Sequence, residues 1–88
     1  MGVVATNANL AKPQATKVAQ MAHDGLARAI EPVHTSVDGD VVFAASAGDL
    51  DPAPDVIGAW GARVLERAIL QAVYSATGMR DIPALSEL

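Results

Sequence analysis

The chain has 88 residues, of which 51% are hydrophobic and 18% charged, with a net charge of −4 and no cysteine. Those figures allow one domain with a thin core, because a chain of this length buries only about 60–65% of the surface its unfolded form exposes. They exclude disulfides and thiolate metal sites, and the acidic balance argues against nucleic-acid binding, which needs a basic face to displace counterions from phosphates.

Polar surface is too scarce in such a chain to cover its apolar faces, so a partner surface is expected. The N-terminus lacks the basic-then-apolar order of a signal peptide, and no apolar run approaches the ~18 residues of a membrane span. The expectation is a soluble, cytoplasmic chain that does not enter a membrane.

Gly2–Thr6 is a short apolar run ended by Asn7, Ala8 and Asn9, which predicts a strand covered on both faces and followed by a turn. Pro13 suits the first helical position. Ala15, Val18, Ala22, Leu26 and Ala29 then recur at helical spacing, predicting one amphipathic helix to about Ile30. Pro32 closes it and Glu31 to Asp38 reads as a loop. From Asp40 to Ser46 both parities are apolar, a second doubly covered strand whose end Gly48 marks.

Asp49 to Pro54 is a turn-rich connection, Asp55 is placed to cap a second helix that runs to about Thr77, and Gly78 is its stop. Apolar residues from Val56 to Val73 wrap most of that helix and leave only Arg63, Glu66, Arg67 and Gln71 as a polar stripe. The tail from Arg80 to Leu88 has no periodicity and is expected to fray. The reading is a single α/β domain of order β-α-β-α over residues 1–79 with a tail at 80–88. Two doubly covered strands make no stable sheet alone, so further strands are expected from another chain or copy.

Asp38-Gly39-Asp40 is the most chemical cluster. On an extended chain, residues two apart face one way, which would set two carboxylates ~7 Å apart at the mouth of an apolar strand. Such a pair can position a proton donor or bind a cation; a solvated acidic turn is the plainer reading of the spacing alone. His34, beside Thr35 and Ser36, could join the aspartates in a divalent-cation module, but one loop histidine without a second imidazole is a poor transition-metal site, and neither Asp38 nor Asp49 starts a calcium-loop pattern. No metal or other cofactor is expected. His23, next to Asp24, reads as a surface or half-buried side chain, and packing is the default for Trp60 and Tyr74. Ser46, Ser75 and Ser86 stand in no nucleophile-elbow pattern, and the scattered glycines form no phosphate loop.

The segments GVVATNANL, KVAQMAHDGLARAI, PVHT and DGDVVFA, in order and at nearly fixed spacing from Gly2 to about Gly48, together resemble the small C-terminal subunit of self-cleaving N-terminal-nucleophile hydrolases. That group includes the L-aminopeptidase/D-esterases, the β-peptidyl aminopeptidases and the nylon-oligomer hydrolase. The resemblance implies an αββα sandwich, of which this chain would be a β-α-β-α fragment, and a precursor cut before a serine or threonine that becomes the nucleophile. In that register the nucleophilic threonine lies two residues before Met1, outside the 88 residues. Asp38 and Asp40 fall on the family's pair that orients the nucleophile, Asp38 bonding the attacking group and Asp40 holding its amine or keeping Asp38 in place. Oxyanion donors and most of the substrate pocket would come from a large subunit. The implied function is hydrolysis of amide, peptide or ester bonds in small substrates, with the isolated chain inactive. The alternative is a non-catalytic domain that associates with itself or a partner through the first strand and second helix.

Overall fold

The computed structural model describes Met1–Leu88 and has the order β1 (Gly2–Ala8), α1 (Lys12–Ala22), α2 (Asp24–Ala29), β2 (Val42–Leu50), α3 (Pro54–Ser75) and a closing 3-10 turn at Leu85–Glu87. β1 and β2 form a two-stranded parallel sheet. Parallel neighbours need a long crossover, and α1 with α2 supplies it. The α/β class expected from the sequence is observed, and the β-α-β-α order holds with its first helical segment divided into α1 and α2.

All three helices lie on one side of the sheet. Val4, Val42, Val18, Ala22, Leu26 and Leu65, contributed by all five main elements, form the core, and Val18 and Ala22 are wholly excluded from solvent. Along β1 the residues of one parity, Val4 and Ala8, are buried, while Val3, Ala5 and Asn7 are exposed. β2 repeats this with Val42 buried and Phe43 and Ala45 exposed. The expectation of strands covered on both faces is therefore corrected for these 88 residues: one face is packed and the other is bare.

Both strands also outrun their predicted ends. Ala8 pairs with Leu50, and the Asn9 N–H donates to the Leu50 carbonyl at 2.8 Å. Between the Thr6–Ser46 and Ala8–Leu50 pairs, β2 carries two extra residues in a bulge. Gly48 lies in that bulge, where a Cβ would collide with the main chain of Asn7. It is thus a requirement of the strand and not its end. The Ser46 hydroxyl bridges the same region, donating to the Ala8 carbonyl at 2.6 Å and accepting from the Leu10 N–H at 3.0 Å.

The single helix predicted to Ile30 is broken at His23, where the Leu26 N–H reaches the His23 carbonyl in a tightened turn. α2 thereby lies directly on α3. A Cβ on Gly25 would stand 2.5 Å from the Ala62 carbonyl oxygen, so only glycine permits this approach.

The inward face of α3 is made of small residues with one leucine, Gly58, Gly61, Ala62 and Leu65. Trp60 and Tyr74 are consequently turned outward, 58% and 67% exposed, which corrects the expectation that they pack. Pro54 is the first residue of α3 and Ala53 its cap, so Asp55 does not cap the helix but sits in its first turn, where its charge complements the helix dipole. The helix stops at Ser75 with an extended Ala76, and Gly78 has no left-handed φ.

The last residues do not simply fray. Met79 and Ile82 exchange both main-chain hydrogen bonds across a tight turn, Ala84 is buried, and the Gly78 N–H donates to the Glu87 carboxylate.

Candidate functional site

The head of the sheet gathers the titratable groups. The Gly2 N–H donates to the Val41 carbonyl at 2.8 Å, which closes β1 onto the residue preceding β2. Directly beyond it, the Met1 ammonium donates to Asp40 Oδ1 at 2.8 Å. That hydrogen bond, with the charge attraction behind it, holds the Asp40 carboxyl below the usual carboxylate range against a small desolvation effect; Asp38 and the charge of His23 add smaller contributions in the same direction.

Asp38 and Asp40 are not extended strand residues. β2 begins at Val42. The Asp40 N–H turns back to Asp38 Oδ1 at 3.0 Å, an Asx turn. The argument that alternation along a strand aims both carboxylates one way is therefore replaced: a loop brings them together. Asp38 organises that loop. Its Oδ2 accepts the His34 N–H at 2.8 Å, and its own N–H donates to the Thr35 carbonyl at 3.0 Å. The Asp38 and Asp40 side chains retain 20% and 30% of their exposure, which leaves lone pairs of both available to an incoming group.

His34 and His23, eleven residues apart and unrelated by any sequence spacing, stack with ring centroids 4.8 Å apart. No spacing rule would have found this pair, because it depends on how the helix break at His23 meets the loop. No three His, Asp or Glu side chains converge in the way a metal ion requires. No side-chain hydroxyl of the chain bonds either aspartate: the Thr6 and Ser46 hydroxyls engage the Ala8 main chain and the Thr16 hydroxyl the Lys12 carbonyl.

Neither aspartate lines a concavity. The largest open groove, about 380 Å³, runs along the outer face of α3 past Trp60, Arg63 and Leu70, with the Arg63 guanidinium 5.5 Å from the Trp60 ring centre. Its polar lining is one carboxylate, Glu66, with the guanidinium groups of Arg63 and Arg67, and no hydroxyl or imidazole for it to act on, so the acidic loop remains the candidate site.

No helix of the structure is long and apolar enough to cross a membrane. Residues 1–84 match the sequence profile of peptidase family S58. An uncharacterized aminopeptidase of Mycobacterium tuberculosis is 35% identical over 103 aligned positions that take in all of this chain, and one of Mycobacterium leprae is 39% identical over 98 positions and 94% of the chain. The chain spans 30% and 27% of the length of these two relatives. A match across nearly every residue, from the head of β1 through the acidic loop to the buried Ala84, shows that the chain belongs to peptidase family S58.

Proposed function

We propose that these residues are the small-subunit part of an N-terminal-nucleophile hydrolase that cleaves amide or peptide bonds, or esters, of small substrates. The observation that carries this reading is the acidic loop at the head of β1, where the Asp40 N–H is tied to Asp38 Oδ1, the Gly2 N–H closes the strand onto Val41, and both carboxylates keep part of their exposure. An extended chain entering β1 would bring a residue two positions before Met1 within ~7 Å of that point. A threonine or serine there would have its free α-amine and hydroxyl beside the two carboxylates.

The hydroxyl oxygen attacks the substrate carbonyl carbon while its proton passes to the neighbouring α-amine. That proton then goes to the departing amine as the C–N bond breaks, and water releases the acyl group from the enzyme. Asp40 keeps the α-amine in place, and Asp38 orients the attacking group. The pocket walls and oxyanion donors come from the large subunit of the same precursor, in keeping with an acidic loop that lines no concavity of its own.

Residues 1–88 alone should not hydrolyse a peptide amide. In the precursor, Asp40→Asn and Asp38→Asn should each lower self-cleavage or turnover by about 100-fold or more, the scale of a lost proton-handling group. Wild-type rates in both variants would remove the assignment. The bare face of the sheet also suits a second copy of the chain. A monodisperse homo-oligomer that no large subunit displaces would favour the non-catalytic reading.

A further inference from the structure

His34 has a backbone φ of 55°, in the left-handed region that glycine enters freely and a side-chain-bearing residue enters at a cost of roughly 1–2 kcal/mol. That conformation points its N–H at Asp38 Oδ2, 2.8 Å away. Glycine would make the same turn without strain, so the turn does not account for a histidine. The ring does. Its Nδ1 lies 3.8 Å from the same Oδ2, and the ring rests on that of His23 at the α1–α2 break, centroids 4.8 Å apart and planes 33° from parallel.

A continuous line of contact thus runs from the helix layer through His23 and His34 to Asp38, then by the Asp40 N–H to Asp40 at the head of β1. The ionisable groups along it are the two imidazoles and the two carboxylates. We propose that His34 and His23 are positioning residues for the acidic pair: their stacked rings tie the loop to the helix junction and set the place of Asp38, and through it of Asp40. This rests on the reading of Asp38 and Asp40 given above. The charge of His23 also favours the ionised form of Asp40, in agreement with the geometry.

The test is steady-state hydrolysis of a small peptide amide by the chain joined to the remainder of its precursor. His34→Gly keeps the turn and the N–H donor and removes only the ring. It should lower kcat by about tenfold or more with KM within about twofold, since misplacement of a group outside the substrate contacts acts on the chemical step. His23→Ala should do the same, whereas His23→Phe, which restores a ring to stack on, should recover most of the loss.

If His34→Gly and His23→Ala keep wild-type kcat while Asp38→Asn and Asp40→Asn lose it, the positioning role alone is overturned. If the two asparagine variants are also fully active, the site reading falls and takes the positioning role with it. Because His34→Gly relieves backbone strain, it should not unfold the protein, and an unchanged thermal midpoint confirms that its kcat reports on the loop.

Discussion

Asp40 is the residue at which charge, geometry and pH dependence meet. Its carboxyl is held below the ordinary value of 3.8, chiefly by the hydrogen bond from the Met1 ammonium. A carboxyl whose folded pKa is depressed binds fewer protons than in the unfolded chain. Its contribution to stability is therefore complete above 3.8 and is lost as pH falls through the lower folded value. In the 88-residue polypeptide as it stands, Asp40→Asn should flatten that part of the acid limb in thermal unfolding followed from about pH 5 down to about pH 2. The effect is modest because the pair is open to solvent. An acid limb identical in wild type and variant would show that the pair contributes nothing to folding. Asp38 and Asp40 were visible in the sequence as a motif, but their arrangement was not. The Asx turn that joins them depends on Asp38 accepting two main-chain N–H groups, one from His34 in a conformation no sequence pattern announces.

Among the elements, the helices are positioned by glycine. Gly25 and Gly61 both face a neighbouring element, yet a Cβ at each meets different surroundings. At Gly25 it would press on the Ala62 carbonyl at 2.5 Å and on Leu65 Cβ at 3.0 Å, backbone and stem atoms that do not rotate away. At Gly61 it would stand 3.3 Å from Ala22 Cβ and 3.4 Å from a Val4 methyl, a gap that small shifts accommodate. Gly25→Ala should therefore destabilise by about 1–3 kcal/mol through overpacking. Gly61→Ala should be close to neutral, its tight contact offset by the ~1 kcal/mol of helix propensity that alanine adds. Urea midpoints of the two variants against wild type check the ordering, and equal midpoints would contradict the account of how α2 sits on α3. Helical spacing made the helices readable, whereas the break at His23 and the inward face of α3 were not. Apolar residues surround most of α3, so periodicity does not say which side packs; the close approach that Gly58 and Gly61 allow does.

The whole molecule is open. Its radius of gyration is 15.0 Å, against about 12 Å for a self-contained domain of this length. Its accessible surface of 6377 Å² exceeds by about 1,500 Å² what a monomer of this mass exposes. The excess is roughly twice what one partner commits to an ordinary interface. Part of it is the bare sheet face, where Val3 and Phe43 are each more than half exposed. Left alone, such a face associates with itself. Phe43→Lys should lower concentration-dependent self-association of the 88-residue chain in sedimentation velocity while leaving its helical circular dichroism intact, and under the function proposed above it should also weaken assembly with a large subunit. Self-association unchanged by Phe43→Lys would move the sticky surface elsewhere, with the outer face of α3 next in line.

The α/β class, the order of elements, the shortage of polar cover and the acidic pair could all be read from residue types and their periodicity, because those properties are local along the chain. Which face of the sheet is covered, where β2 bulges around Gly48, which side of α3 turns inward and how His23 comes to rest on His34 depended on packing between segments far apart in the chain. These are matters of which atoms fit against which, and no spacing within a single element encodes them.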